Sequence, residues 1–574
     1  MASPSPMKII IVGGSLSALM QGITLHQQGH SIHILEQSPT PTPVSHMAGV
    51  SIGPDVQAFL SRFDRVSHIP LGIPATQLQS VDHSGQPKPF FRLQRIMTSW
   101  DALYFRLRAN YDGLASDYIP NPPDPLSTLP DESSCDARAR ARYEYGQRVV
   151  DISEIPSTGQ LAIVTESTSS STRATTTYTA DLVLGADGPR STVRQLFLPP
   201  SPQGDNKTHR KYAGYLAWRA IIPESRITPT TLAIFQSNIS YLIRKRPTHG
   251  SHIVVYHIPG PNGSITPGTR YLNFCWYENV PAHDLPTLMT DIHGVRHHTT
   301  VAPGLVPPRI WNLQRAQAAE DMLDFPAPFR ELLSLIDAPF LHLITDYPPA
   351  ERTCFLGGKV RLVGDAVTLM RPHAAFSTNQ AAAHAALMGR WLDRGETAGM
   401  SEREWEYQVA KSAELHWARS IWYGEYLQNS SMVLAAGGRL LGEVLVWVWL
   451  LAIALFYFPI IDLSVRVEMY AVADPETRSI LDHQISPSFA SFASPSSPWG
   501  DPDPTNNLSH FITSANTTER AAAAIIKTNT SSTLLIIAAT TRFRCTTLNE
   551  VKNSARTPKI ASAIRPVLLF RKIV

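Results

Sequence analysis

Residues 7–36 read MKIIIVGGSLSALMQGITLHQQGHSIHILE, and three signals inside them decide the fold. Lys8-Ile9-Ile10-Ile11-Val12 is an apolar run of strand length that stops at Gly13-Gly14-Ser15. The stretch up to Gly29 then carries apolar residues at helical spacing, and Ile32-His33-Ile34-Leu35-Glu36 returns to strand character. Strand, tight turn, helix and strand in this order make a βαβ unit. Gly13-Gly14-Ser15-Leu16-Ser17-Ala18 stands where a dinucleotide fingerprint reads G-x-G-x-x-G, with Ser15 and Ala18 in place of the second and third glycines. Gly13 still allows the tight turn, Ser15 is small enough for close approach to a pyrophosphate, and Ala18 still permits close helix-strand packing. The helix start adds free N–H groups and a partial positive charge suited to phosphates. Glu36, 23 residues after Gly13, ends the second strand, where its carboxylate can accept hydrogen bonds from ribose hydroxyls.

Outward from this unit, the pattern predicts a helix over Trp100–Tyr111, a proline-rich surface loop over 120–130, strands from about Tyr143 to Val164, and a Ser/Thr-rich loop over Glu166–Thr179. Asp181–Gly188 reads as another apolar strand. Residues 212–280 alternate apolar and polar positions between Pro/Gly/Asn turns and predict an antiparallel sheet. Val360–Asp365 predicts a buried strand, followed by a loop and an alanine-rich helix over Asn379–Asp393, with helical patterning to about Gly437. The expected fold is α/β: a Rossmann-like nucleotide-binding domain in two pieces, 7–200 and 345–395, an inserted antiparallel-sheet substrate domain over 205–344, and C-terminal helices over 396–440.

The chain has 574 residues, 43% of them hydrophobic and 17% charged, with 50 Lys and Arg against 47 Asp and Glu. That balance excludes a disordered chain, and without basic blocks interleaved with aromatics it excludes nucleic acid as the expected partner. The four cysteines are widely spaced with no C-x-x-C pair, so neither a metal site nor a disulfide framework is expected. No secretory signal precedes the first strand, and a reducing, cytoplasmic setting is the simpler expectation. Composition changes near the end. Val444–Ile461, VLVWVWLLAIALFYFPII, is 18 residues without a charge, close to the roughly 20 that span a bilayer, and suits either a membrane segment or a buried helix. Residues 470–574 read as a low-complexity, disordered tail, Ser/Pro-rich over 486–507, with ten Lys/Arg against one acid, Glu550, over 520–574.

Two further motifs put Asp and Gly at the ends of apolar strands: Asp181-Leu182-Val183-Leu184-Gly185-Ala186-Asp187-Gly188-Pro189-Arg190-Ser191, and Val363-Gly364-Asp365-Ala366 with Pro372 downstream. The ordered set of glycine, D-G and G-D motifs resembles the single-component (group A) flavoprotein monooxygenases of the para-hydroxybenzoate hydroxylase type. MTSWDALYFRLRANYDGL (97–114), YAGYLAWRAIIPE (212–224), VVYHIPGPNGS (254–264) and LNFCWYENV (272–280) look like the 2,6-dihydroxypyridine-hydroxylase-like branch. The resemblance spans roughly residues 7–430.

The resemblance implies FAD as cofactor, with NAD(P)H and O2 as co-substrates, and a ring hydroxylation that runs through a C4a-hydroperoxyflavin. It places Gly13, Gly14 and Ser15 at the pyrophosphate, Ala18 beneath them, Glu36 at the adenosine ribose, and Arg106 near the phosphates or ribityl chain. Asp365 would hold a ribityl hydroxyl while Gly364 allows close approach. Asp187 and Gly188 would serve both FAD and the reductant, with Arg190 assisting. The loop Arg371–Asn379, with Pro372 and Asn379 in it, would bring helix-start N–H groups to the flavin, and His373 would move a proton or contact substrate. On the substrate side, strand alternation puts Tyr215, Ala217 and Arg219 on one face and Leu216, Trp218 and Ala220 on the other. Arg219 is then the candidate for stabilising a phenolate and Tyr215 for orienting a ring hydroxyl. The expected substrate is a phenol-like aromatic or heteroaromatic small molecule. The alternatives are a membrane-associated epoxidase of an isoprenoid-type chain, carried to it by 444–461, and a catalytically inactive flavin-binding protein, suggested by the substituted glycines and the tail. A halogenase is disfavoured because Trp447-Val448-Trp449 lacks the continuation of the W-x-W-x-I-P motif.

Overall fold

The computed structural model describes residues 6–41, 48–126, 141–169, 174–198, 210–245, 250–321, 325–393 and 400–428, with two short strands at 524–527 and 534–537. The βαβ unit forms as the pattern requires: strand Lys8–Val12, helix Leu16–Gln27, strand Ser31–Leu35. Ile9, Ile10 and Ile11 are fully buried, as befits a strand covered on both faces of a parallel sheet. Six strands stand in the order Cys354–Phe355, Val360–Leu362, Leu182–Gly185, Lys8–Val12, Ser31–Leu35, Ala141–Glu144, and only the first pair is antiparallel. Helices Leu16–Gln27, Trp100–Asp112 and Ser377–Leu392 pack on this layer through one shared core.

A nine-stranded sheet forms the second layer, in the order Thr300–Val301, Phe340–Asp346, Lys211–Pro223, Tyr271–Asn279, Gly250–Ile258, Asn238–Lys245, Ile73–Val81, Pro87–Ser99, Gly49–Ile52. Its two faces differ as alternation demands. Leu216, Trp218, Ala220 and Ile222 join Phe274, Trp276 and the helices Pro308–Asp321 and Ala327–Ser334 in an apolar core, whereas Tyr215 and Ala217 pack with Cys275, Tyr277 and Ile344 on the other face.

Three expectations need correction. The sheet is not confined to 205–344: three of its strands come from residues 49–99, and Asn238–Lys245 pairs parallel with Ile73–Val81. Thr175–Ala180 is a strand rather than part of a Ser/Thr loop, paired with Leu161–Ser167 at the edge of a three-stranded sheet. Its threonines are β-branched and mostly exposed, and an edge strand with one wet face has little to bury. Among the described residues, the C-terminal helices reduce to one, Glu402–Gln428. Residues 444–461 lie outside the described residues, and no described helix is long and apolar enough to cross a membrane. Of the tail, only the antiparallel strands Ala524–Lys527 and Leu534–Ile537 are described.

One contact ties the helix Trp100–Asp112 to the parallel sheet. The hydroxyl of Tyr111, fully buried, donates between the carbonyl oxygens of Ile32 at 3.3 Å and Arg142 at 3.2 Å, and its ring fits against the bare backbone at Gly22, where a Cβ would come within 2.9 Å of it. Tyr111→Phe removes a shared hydrogen bond without a cavity, so chemical denaturation should show a loss of about 1 kcal/mol with an unchanged m-value.

Candidate functional site

Parallel pairing of Lys8–Val12 with Leu182–Gly185, in the register Val12 to Gly185, brings the turns that follow the two strands side by side. Gly13 takes φ +92°, and a Cβ there would lie 2.7 Å from Asp187 Cα and 2.8 Å from the Ala186 carbonyl oxygen. The contact therefore has room only for glycine. At Gly14 a Cβ would fall on the Tyr143 hydroxyl, which donates to the Gly14 carbonyl oxygen at 3.0 Å. Ser15 caps the helix without spending its side chain on a backbone N–H. Glu36 is held by two backbone donors, Gly14 N–H and Ser38 N–H, each at 2.7 Å. A carboxylate has about four lone-pair positions, so capacity for ribose hydroxyls remains.

These groups line a cavity of about 490 Å³, completed by Gly188, Gly364, Asp365, Arg148, Arg190, Trp100 and the helix start Ser377-Thr378. Gly364 has φ +61° and sits against Ser17, whose hydroxyl is buried without a partner. Asp187 accepts from Val193 N–H at 3.1 Å through Oδ2, while its buried Oδ1 has no partner. Burial raises the pKa of the Asp187 carboxyl. Burial also pushes Asp365 up to about 6, partly offset by Arg210.

Not every expected cofactor residue reaches this cavity. Arg106 is only 2% exposed and is consumed in the interior, where it pairs with Asp64 at 2.8 Å, donates to the Val66 carbonyl at 2.6 Å and bonds the Ile69 carbonyl. Its helix face meets the loop 64–69, a matter of packing that spacing along a helix does not reveal. Asn379 is buried against the start of helix Pro54–Phe63, accepting from Val56 N–H at 3.4 Å. Pro372 lies exposed in the turn Pro372–Ala374. Ala18 is fully buried in the core, as close helix packing requires. The cations that sequence reading missed are Arg148 on the cavity wall, paired with Glu166 at 2.5 Å, and Arg210 beside Asp365. Both sit at positions that only strand pairing and chain return reveal.

The chain leaves the cavity wall at Asp365, crosses to the nine-stranded sheet, and returns at Ser377. On the way Ala375 is left-handed, φ 48°, a conformation costing a non-glycine residue about 1 kcal/mol or more. At the far point His373 Nε2 lies 2.8 Å from the Tyr215 hydroxyl, and its ring centroid lies 4.8 Å from that of Tyr277 and 5.2 Å from that of His252. Arg219 shares the Tyr215 face but lies four residues along, roughly 13 Å at strand rise. It donates to Asn273 Oδ1 at 3.3 Å and stands over the Phe340 ring. Tyr215 and His373 thus form one contact, with Arg219 a separate anchor on the same surface.

A family model described as FAD binding domain-like matches residues 212–346. A 2,6-dihydroxypyridine 3-monooxygenase of Paenarthrobacter nicotinovorans is 27% identical over 406 residues, 70% of this chain and 87% of that protein. A salicylate hydroxylase of Pseudomonas putida is 24% identical over 475 residues, 78% of this chain and 92% of the relative. The solved 2,6-dihydroxypyridine-3-hydroxylase of Arthrobacter nicotinovorans superposes with TM-score 0.58 at 24% identity, covering 75% of this chain and 94% of that one. The chain is related to the FAD-dependent aromatic monooxygenases. The cavity suits FAD on its own evidence: a glycine cradle with no room for a Cβ, a helix start, a positioned Glu36, and two buried oxygens, Ser17 Oγ and Asp187 Oδ1, without partners.

Asp365 and Arg106 should respond oppositely to substitution. The folded pKa of Asp365 lies above its ordinary 3.8, so the folded state binds the extra proton and stability falls as pH rises from about 4 to about 6. Asp365→Asn should raise the Tm of the flavin-free protein at neutral pH while weakening FAD binding in a fluorescence titration. Arg106→Ala should cost about 3–5 kcal/mol of stability, leaving the FAD dissociation constant of the folded fraction unchanged.

Proposed function

We propose that the chain hydroxylates a phenol-like aromatic or heteroaromatic small molecule, using NAD(P)H and O2, with FAD held in the cavity between the turns at Gly13, Asp187 and Gly364. The observation that carries this reading is the course of residues 365–377: the same short segment borders the nucleotide cavity at both ends and touches the polar face of the sheet at its middle. When bound, FAD supplies the redox and oxygen chemistry that no side chain provides. The names of the curated relatives, a dihydroxypyridine monooxygenase and a salicylate hydroxylase, support hydroxylation of an electron-rich ring.

The chain's own residues have distinct tasks in this proposal. Glu36 anchors the ribose end, the helix starts at Ser15 and Ser377 lend positive potential to phosphates and to the flavin ring, and Asp365 holds the ribityl chain. Asp187 and Gly188 border the path of the reductant. Arg219, always charged, favours the deprotonated form of a ring hydroxyl, which is the better nucleophile. Tyr215 and His373 orient that ring from the other end of the surface. Around them Tyr215 and His252 are fully buried and Tyr277 is 7% exposed, while Arg219 and His373 are half-buried, so that a bound ring would complete the exclusion of water from the reacting atoms.

The test is a panel of hydroxylated benzenes and pyridines assayed for stimulated NADH and NADPH oxidation, with products identified by mass. Hydroxylated product matching NAD(P)H consumed supports the reading, and oxidation that no ring compound stimulates refutes it. Arg219→Gln should lower kcat/KM by roughly 10–100-fold with flavin content unchanged.

A further inference from the structure

A histidine takes its tautomer from its hydrogen-bonding neighbours, and around the half-buried His373 those neighbours form a directed chain. Arg371 is clamped by two carboxylates, Nε to Asp346 Oδ2 at 2.7 Å and Nη1 to Glu425 Oε1 at 2.8 Å, and its backbone N–H donates to Ser420 Oγ at 3.1 Å. Arg371 Nη1 also approaches the Tyr215 hydroxyl at 3.4 Å. A guanidinium only donates, so the phenol oxygen accepts there. The positive charge turns the Tyr215 O–H dipole away from itself, toward His373 Nε2 at 2.8 Å. Nε2 must then be the acceptor, and the ring proton of a neutral His373 sits on Nδ1, which has no hydrogen-bond partner among the described residues.

We propose that Asp346 and Glu425, acting through Arg371 and Tyr215, lock His373 in its Nδ1–H form, so that it offers a hydrogen bond to an acceptor oxygen on the ring substrate rather than acting as its base. Glu425, Asp346 and Arg371 are positioning residues. The inference rests on the hydroxylase reading for what His373 meets, but not for its tautomer.

The surroundings agree. The groups facing the Tyr215–His373 pair are Arg371 from the loop, Asp346 from the strand Phe340–Asp346, Glu425 from the last helix, and Tyr277 and His252 from the sheet. His252 is itself buried and held neutral, down to about 3, by that burial. Burial, His252 and Arg371 together lower His373 well below the ordinary range, so it stays uncharged at neutral pH. The last helix has a glycine at the point of closest approach: a Cβ on Gly424 would fall on the Tyr215 hydroxyl and lie 3.0 Å from the His373 ring and 3.2 Å from Arg371 Nη1. The helix Glu402–Gln428 is thereby part of the site.

The test is proton–nitrogen correlation NMR of the full chain loaded with FAD and carrying nitrogen-labelled histidine, with the His373 signals assigned by their loss in His373→Gln. The expected spectrum shows Nδ1–H alone over about pH 6–8. Tyr215→Phe and Glu425→Gln should each introduce the Nε2–H form, and Glu425→Asp should restore much of the original signature; Asp346→Asn serves as the second probe of the clamp should Glu425→Gln fold poorly. An Nε2–H tautomer or an imidazolium in the unmodified protein overturns the proposal. An Nδ1–H signal that persists in both Glu425→Gln and Asp346→Asn overturns the role of the carboxylates. Absence of ring-stimulated NAD(P)H oxidation would instead refute the hydroxylase reading, and it leaves the NMR result standing.

Discussion

Gly13 and Asp187 meet backbone to backbone, and the rest of the site depends on that contact. A Cβ at Gly13 would be 2.7 Å from Asp187 Cα, closer than nonbonded carbon atoms approach. Because the strands before these residues are hydrogen-bonded neighbours, the contact draws both turns and the start of helix Leu16–Gln27 around one space. The third strand, Val360–Leu362, is next in the same parallel order, so Gly364 and Asp365 arrive at the same edge. Three turns at the carboxyl ends of adjacent parallel strands make the cavity, the location at which open α/β sheets hold ligands.

The two layers differ in what they contribute. The parallel layer is apolar and positions the nucleotide cavity. The nine-stranded layer has one apolar face, which anchors it to its own helices, and one face where Tyr215, Arg219, Cys275, Tyr277 and His252 are gathered. That second face is buried yet polar, an arrangement that costs stability unless each group is paired or awaits a ligand. The cation that meets this face from the loop, Arg371, is compensated by Asp346 at the end of one of the sheet's strands and by Glu425 on the last helix, which hold it between them. The segment 365–377 then couples the two layers, bordering the cavity at Asp365 and Ser377 and touching the polar face of the sheet through His373.

What the sequence made legible was local. The turn at Gly13, the carboxylate at Glu36 and the Asp-Gly pairs after strands are each specified within a few residues, because a backbone conformation and a strand end are local properties. Alternation also separated Tyr215 and Arg219 from Trp218 correctly. What was not legible depended on distant packing. Arg106 has the composition of a phosphate-binding cation but faces Asp64 instead, and nothing within its helix indicates which side meets the cavity. Asn379 likewise turns toward Val56. The strands of residues 49–99 pair with a sheet whose other members lie more than a hundred residues on, and the Tyr215–His373 contact joins residues 158 apart. Thr175–Ala180 was hidden because an exposed edge strand carries no apolar alternation.

The central claim is that the cavity lined by Gly13, Glu36, Asp187 and Asp365 holds FAD. The most direct measurement is the visible spectrum of the purified full chain, with the flavin released by denaturation and identified. The account predicts a yellow protein that releases FAD in equal proportion to the chain. A folded protein that is colourless and takes up no added FAD would contradict it.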